Sequence, residues 1–141
     1  MSESSGLLLT EAILAEMREH VERLCPEEAC GLLGGLEGRV SVVIPVSNEL
    51  HSPLRFRMDP REMLAAFKRI EQTGEELVGI YHSHPKGPAV PSPTDQAEFA
   101  YPGTIYLIWS PTSQGDWQVR GFSLDGGIIQ EAPLAIMDSN L

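Results

Sequence analysis

The run Leu77-Val78-Gly79-Ile80-Tyr81-His82 is almost continuously apolar. A strand with apolar side chains on both faces must be covered on both, so it belongs at the centre of a sheet with helices packed above and below. The flanking segments fit that frame. Apolar spacing predicts a helix from about Thr10 to Leu24, capped by Thr10 and ended by Pro26, with Ile13, Met17, Val21 and Leu24 on its inner face. His20 on this helix is read as solvated. Ala29 to Gly35 reads as a short buried strand returning through Val40 to Val46, a hairpin turned near Glu37-Gly38. Asp59-Pro60 opens a second helix with Met63, Leu64, Phe67 and Ile70 as its apolar stripe, and Gly74 stops it. A Pro-rich loop, a short helix from about Thr94 to Ala100, a buried strand Thr104 to Trp109, and two antiparallel strands (Trp117 to Ser123, Gly127 to Glu131) complete the chain. The expected class is α/β: one domain over residues 1–141, a mixed β-sheet flanked by helices.

Charge narrows the partners. A net charge of −10 repels phosphate backbones and anionic lipid, so neither nucleic acid nor a membrane surface is expected as a partner. No run reaches the ~18 apolar residues that span a bilayer. Met1 to Ser5 has no basic segment, and Leu7-Leu8-Leu9 is too short for the core of a secretion signal. Two cysteines, Cys25 and Cys30, cannot build a disulfide scaffold, and the expected compartment is the cytoplasm.

The chemistry is concentrated at His82-Ser83-His84-Pro85, with Ser92 and Asp95 downstream. Residues two apart on a strand project to the same face, so the two imidazoles can aim at one point. Zinc takes neutral imidazole nitrogens at roughly 2.0–2.1 Å and accepts a carboxylate as third ligand, leaving a position for water. A His-x-His pair also arises by chance in a chain with four histidines. Ser92-Pro93-Thr94-Asp95 equally satisfies a capping box, a role compatible with Asp95 also being a ligand. A proton acceptor is available at Glu27 or Glu28, which ordinary acidic surface would explain as well. Cys30 reads as a small buried hydrophobe, and a Cys25/Cys30/His82/His84 site would have wide Cys spacing and leave Asp95 without a role. His51 has no partner in register and stays outside the site.

Taken together these positions resemble the JAMM (MPN+) metalloprotease motif: a Glu, then His-Ser/Thr-His, seven residues, Ser, two residues, Asp. His82-Ser83-His84, Pro85 to Pro91, Ser92 and Asp95 match it without a gap. Pro26-x-Glu28-x-Cys30-Gly31-Leu32-Leu33 is similar to the family's first strand and selects Glu28 over Glu27, while Asn48 and Phe56 to Pro60 resemble positions leading into its second helix. The likeness covers roughly residues 8–131.

The resemblance implies a cytidine-deaminase-like JAMM/MPN fold, with Zn²⁺ held by His82, His84 and Asp95. Glu28 would be the acid/base, and Ser92 would stabilise the oxyanion or hold water. It further implies cleavage of a peptide or isopeptide bond after the C-terminal Gly-Gly of a ubiquitin-like or sulfur-carrier β-grasp protein, as in compact prokaryotic members. Such a tail can pair with an edge strand. The short Lys86 to Pro91 loop leaves little room for gripping a second ubiquitin. A non-catalytic MPN-type binding module is the alternative, although such modules usually lack part of the ligand set. A nucleoside deaminase would need His-x-Glu with a downstream Cys-x-x-Cys, but the residue two after His82 is His84 and no Cys-x-x-Cys occurs. A phosphoesterase would want further ligands or a basic cradle.

Overall fold

The structure is a computed structural model that describes residues 6–93, 95, 101, 103–125 and 127–137. Its elements are β1 (Leu7–Thr10), α1 (Glu11–Leu24), β2 (Cys30–Leu36), β3 (Arg39–Val46), α2 (Pro60–Gln72), β4 (Glu76–Ser83), β5 (Ile105–Pro111), β6 (Trp117–Asp125), β7 (Ile128–Ala132) and β8 (Leu134–Met137). The short helix expected from about Thr94 to Ala100 lies almost wholly outside the described residues. Pro93 and Asp95 have helical backbone.

Side-chain caps set both long helices. Thr10 accepts a hydrogen bond from Ile13 N at 3.1 Å, and Asp59 accepts from Arg61 N and Glu62 N with Pro60 at the first helical position. Glu62 reaches back to Ser47, taking hydrogen bonds from its N and Oγ at 2.7 Å each, which ties the start of α2 to the end of β3. The β2–β3 turn is a two-residue loop, Glu37-Gly38, with φ of 53° and 76°. Two positive φ values in succession mark the turn whose twist suits a hairpin, and glycine takes the second at no steric cost.

One mixed sheet has the strand order β7-β6-β5-β4-β2-β3-β1-β8. β4 lies in its middle, antiparallel to β2 and parallel to β5. On one face Ile13, Met17 and Val21 of α1 pack on Leu9, Leu33, Val43, Val78, Tyr81 and Leu107. On the other, Ala66 and Ile70 of α2 meet Leu32, Ile44, Ile80 and Tyr106. The continuous apolar run thus sits where both faces need covering.

Three expectations change. β1 and β8 were not anticipated; they pair in parallel along one edge, with Leu7 opposite Leu134 and Thr10 opposite Met137. Leu64 points outward at 57 % exposure, because Met63, Ala66, Phe67 and Ile70 form the inner stripe. His20 is buried rather than solvated: its Nδ1 lies 2.7 Å from Tyr81 Oη. Tyr81 reaches across Gly31, where an added Cβ would lie 2.4 Å from its ring, so the glycine leaves room for the tyrosine to meet α1.

The two sheet edges meet in sequence. β7 and β8 occupy opposite ends of the strand order yet are separated only by Pro133, whose carbonyl accepts from Leu7 N at 3.1 Å. Leu134 also approaches Gly121 on β6, and Trp117 and Val119 join the α1 cluster. The sheet therefore curls around α1.

Candidate metal centre and active site

β4 ends in the residues that matter. Cys30 pairs with His82 across β2 and β4, and Ser83 pairs with Trp109 on β5, so the strand delivers its C-terminal end from the centre of the sheet. His82 Nε2 and His84 Nε2 lie 3.1 Å apart. Asp95 Oδ2 closes a triangle with them at 3.2 Å and 3.0 Å. Donor atoms around a tetrahedral zinc at ~2.0–2.1 Å are spaced only slightly wider than this. All three side chains are buried or nearly so.

The hydrogen-bond network fixes what the ring nitrogens offer. His84 Nδ1 lies 2.8 Å from Pro88 O, which can only accept, so the proton sits on Nδ1 and a neutral His84 presents its Nε2 lone pair to the Asp95 oxygen. Either a proton on Nε2 or a cation between the lone pair and the carboxylate satisfies that contact. His82 Nδ1 is buried with no partner among the described residues, and the ring is held instead by Phe56, stacked at 4.5 Å and 25°. Burial pushes His82 down, toward the neutral form that a metal needs. His84 is desolvated too, but its bonds to Asp95 and Pro88 outweigh burial and raise it. Burial opposes ionisation of Asp95 as well, yet its bonds to His82 and His84 hold the carboxyl well below the usual range.

Ser92 and Asp95 form the anticipated reciprocal cap. Ser92 N donates to Asp95 Oδ2 at 2.9 Å, and Asp95 N donates to Ser92 Oγ at 3.0 Å. Oγ accepts there and has no acceptor of its own among the described residues, so its proton can be donated into the cleft. The cap is what aims the carboxylate at the imidazoles, so the capping and ligand readings describe one geometry.

Glu28, just ahead of β2, is 3 % exposed, and its carboxylate lies within 4.8 Å of both imidazole nitrogens. Glu28 is therefore near enough to serve as an alternative ligand. Asp95 nevertheless makes the tighter edges, and Glu28 Oε1 has no hydrogen-bond partner among the described residues. Desolvation raises the Glu28 carboxyl to about 8; Asp95 adds to the rise and His84 opposes it. Glu28, His84, Ser92, Leu54, Pro88 and Val90 line a cleft of about 380 Å³. An apolar hollow of about 310 Å³, bounded by Phe56, Met58, Met63, Ile80 and Tyr106, opens on the Asp95 side.

Other candidates fall outside. Cys25 is exposed, and Cys30 is a buried thiol whose Sγ lies 3.4 Å from Val46 O. His51 is exposed, and its Nδ1 lies 3.3 Å from Glu27 Oε1. Sequence reasoning did not assign roles to Ser83, Phe56 or Asn48. Ser83 Oγ accepts from Ala29 N at 2.8 Å, tying the segment after Glu28 to the histidine strand. Its position between the two histidines was the available signal; Phe56 and Asn48 had none beyond their place ahead of α2.

Residues 10–122 match a family model described as prokaryotic homologs of the JAB domain. The chain is similar to the desampylase of Haloferax volcanii, 40 % identical over 129 residues that cover 89 % of this chain and 90 % of that one. It is also 40 % identical, over 134 residues, to a probable TtuB-protein conjugate cleaving protease of Thermus thermophilus, covering 93 % of this chain and 83 % of the other. The solution structure of a protein from Desulfitobacterium hafniense superposes with a TM-score of 0.85 at 35 % identity, covering 94 % of each chain.

Proposed function

The chain belongs to the family of prokaryotic JAB-domain proteins, and from that premise we propose that it is a zinc-dependent hydrolase of the JAMM type. Its substrate is a ubiquitin-like or sulfur-carrier β-grasp protein, and it cuts the peptide or isopeptide bond after the C-terminal Gly-Gly. The observation that carries this reading is the closed triangle of His82 Nε2, His84 Nε2 and Asp95 Oδ2 beside a Glu28 oxygen with no hydrogen-bond partner among the described residues. Two imidazoles and a carboxylate suit zinc in an open, three-ligand site. Once bound there, zinc supplies Lewis acidity, polarising the scissile carbonyl and bringing the pKa of a water toward about 7.

The protein's own groups do the remaining work. Glu28 Oε1 takes the proton of the attacking water and returns it to the leaving amine. Its raised pKa in a desolvated pocket suits a group that must hold and release a proton, and a neighbouring divalent cation would bring it back toward neutrality. Ser92 Oγ donates to the oxygen that gains negative charge, a contact typically worth about 10²–10³ in rate. The Gly-Gly tail has no side chains and fits the cleft between the 48–58 segment and the 85–93 loop. Pairing at a sheet edge is a poorer fit: β7 lies three strands from β4, about 14 Å at ordinary strand spacing. Two free cysteines, one exposed and one buried, suit a reducing compartment such as the cytoplasm.

The test joins elemental analysis to an assay in which β-grasp carriers bearing C-terminal adducts are incubated with the protein and the products read by mass. One zinc per chain and release of a carrier ending in Gly-Gly are expected. Glu28→Gln should retain zinc and lose about 10²–10⁴ in kcat, whereas His82→Ala and Asp95→Ala lose zinc and turnover together. A metal-free protein that binds carriers without cutting them would identify a binding module instead.

A further inference from the structure

Asn48 lies beyond β3, 3 % exposed, and all four hydrogen-bonding positions of its amide are used. Nδ2 donates to Glu28 O and to Arg55 O, each at 3.0 Å. Oδ1 accepts from Leu50 N and from Arg57 N, each at 3.1 Å. The orientation is unambiguous, because the two carbonyls can only accept and the two amides can only donate. The amide therefore spans the loop between Asn48 and Met58, which are bridge partners of each other. The loop returns the contact, since Glu28 N donates to Ser52 O at 2.8 Å. Glu28 is thus held on both sides of its own Cα by one loop, and that loop's shape is set by one side chain.

From this geometry we propose that Asn48 is a positioning residue for the reaction, fixing the backbone of Glu28 so that its carboxylate stands beside the imidazole pair. The proposal rests on the reading of Glu28 as the acid/base. No metal ligand touches Asn48 among the described contacts, so its effect should fall on the proton-transfer step and not on metal binding. Aspartate has nearly the same volume but loses both donors and places a charge against two carbonyls; serine is a milder change that keeps a single short hydroxyl.

Asn48→Ser and Asn48→Asp are compared with the wild-type zinc protein on a β-grasp carrier with a C-terminal Gly-Gly adduct. The expected result is a fall of about 10²-fold in kcat for Asn48→Asp, and a smaller one for Asn48→Ser, with KM and zinc content unchanged. In the Glu28→Gln background the same substitutions should cost almost nothing more, because Asn48 acts through the group already removed. Amide hydrogen exchange, which needs no substrate, should rise at residues 28–29 and 50–57 and stay at wild-type level in α1 and β5.

Full kcat in either variant with native exchange elsewhere would overturn the proposal. So would penalties that multiply in the Glu28→Gln background, or loss of the fold in both variants. If wild-type protein cleaves no carrier, the functional reading fails, while the exchange experiment still reports whether Asn48 holds Glu28 in place.

Discussion

At the scale of single residues, the grouping of His82, His84, Ser92 and Asp95 was legible because its spacing is rigid. Two histidines two apart on extended backbone share a face, even with His84 one residue past the end of β4, and a serine three residues before an aspartate caps the turn that presents the carboxylate. Phe56 was not legible, since stacking on His82 depends on how a loop returns rather than on any local pattern. Its consequence is testable. With His82 Nδ1 lacking a hydrogen-bond partner among the described residues, Phe56→Ala should weaken zinc affinity by about 10-fold or more, toward the range seen when groups that orient a ligand are lost; competition with a chromophoric chelator measures it.

His20 gives the residue-scale misreading its physical reason. It stands three positions after Met17 and seven after Ile13, squarely on the inward face of α1, and the tyrosine hydroxyl below accepts a polar group there. Burial, aided by Arg23, pulls its pKa from 6.5 to about 4. Between those values the unfolded chain carries a proton that the folded protein does not, so stability falls as pH drops from 6.5 toward 4, by up to about 3 kcal/mol. The difference in urea midpoint between wild type and His20→Gln should shrink over that interval. A constant difference would show that His20 is as easily protonated folded as unfolded.

At the scale of elements, long periodic segments announced themselves and short edge strands did not. α1 and α2 carry caps, stripes and stops in their own sequence. β1 and β8 have four residues each and owe their conformation to each other, a pairing between positions more than a hundred residues apart that no window of sequence can reveal. The β2–β3 turn combines both kinds of information. Its glycine was visible, while the positive φ at Glu37 emerges only from the two-residue length of the loop. Asparagine tolerates that conformation better, so Glu37→Asn should stabilise the protein by about 0.5–1 kcal/mol, read as a higher urea midpoint with the slope unchanged. A lower midpoint would mean that the glutamate side chain makes a contact worth more than the turn strain.

At the scale of the whole molecule, the central place of β4 followed from one apolar run, and the α/β class from helices interleaved with strands. The curl of the sheet did not, because it depends on Pro133 joining strands at opposite ends of the order. Ending the chain after Pro133 removes the outer neighbour of β1 and uncovers Leu7 and Leu9, both buried in the intact protein. Such a truncated protein should melt lower and form oligomers on size-exclusion chromatography, as unpaired edges do. An unchanged monomer would show that β8 is dispensable.

The same join bears on how the protein is made. A ribosome delivers β1 before any other described strand, but its outer neighbour β8 emerges only after all the rest. Throughout synthesis the nascent chain therefore carries an unsealed seam along β1, which can be paired only when translation has passed Pro133.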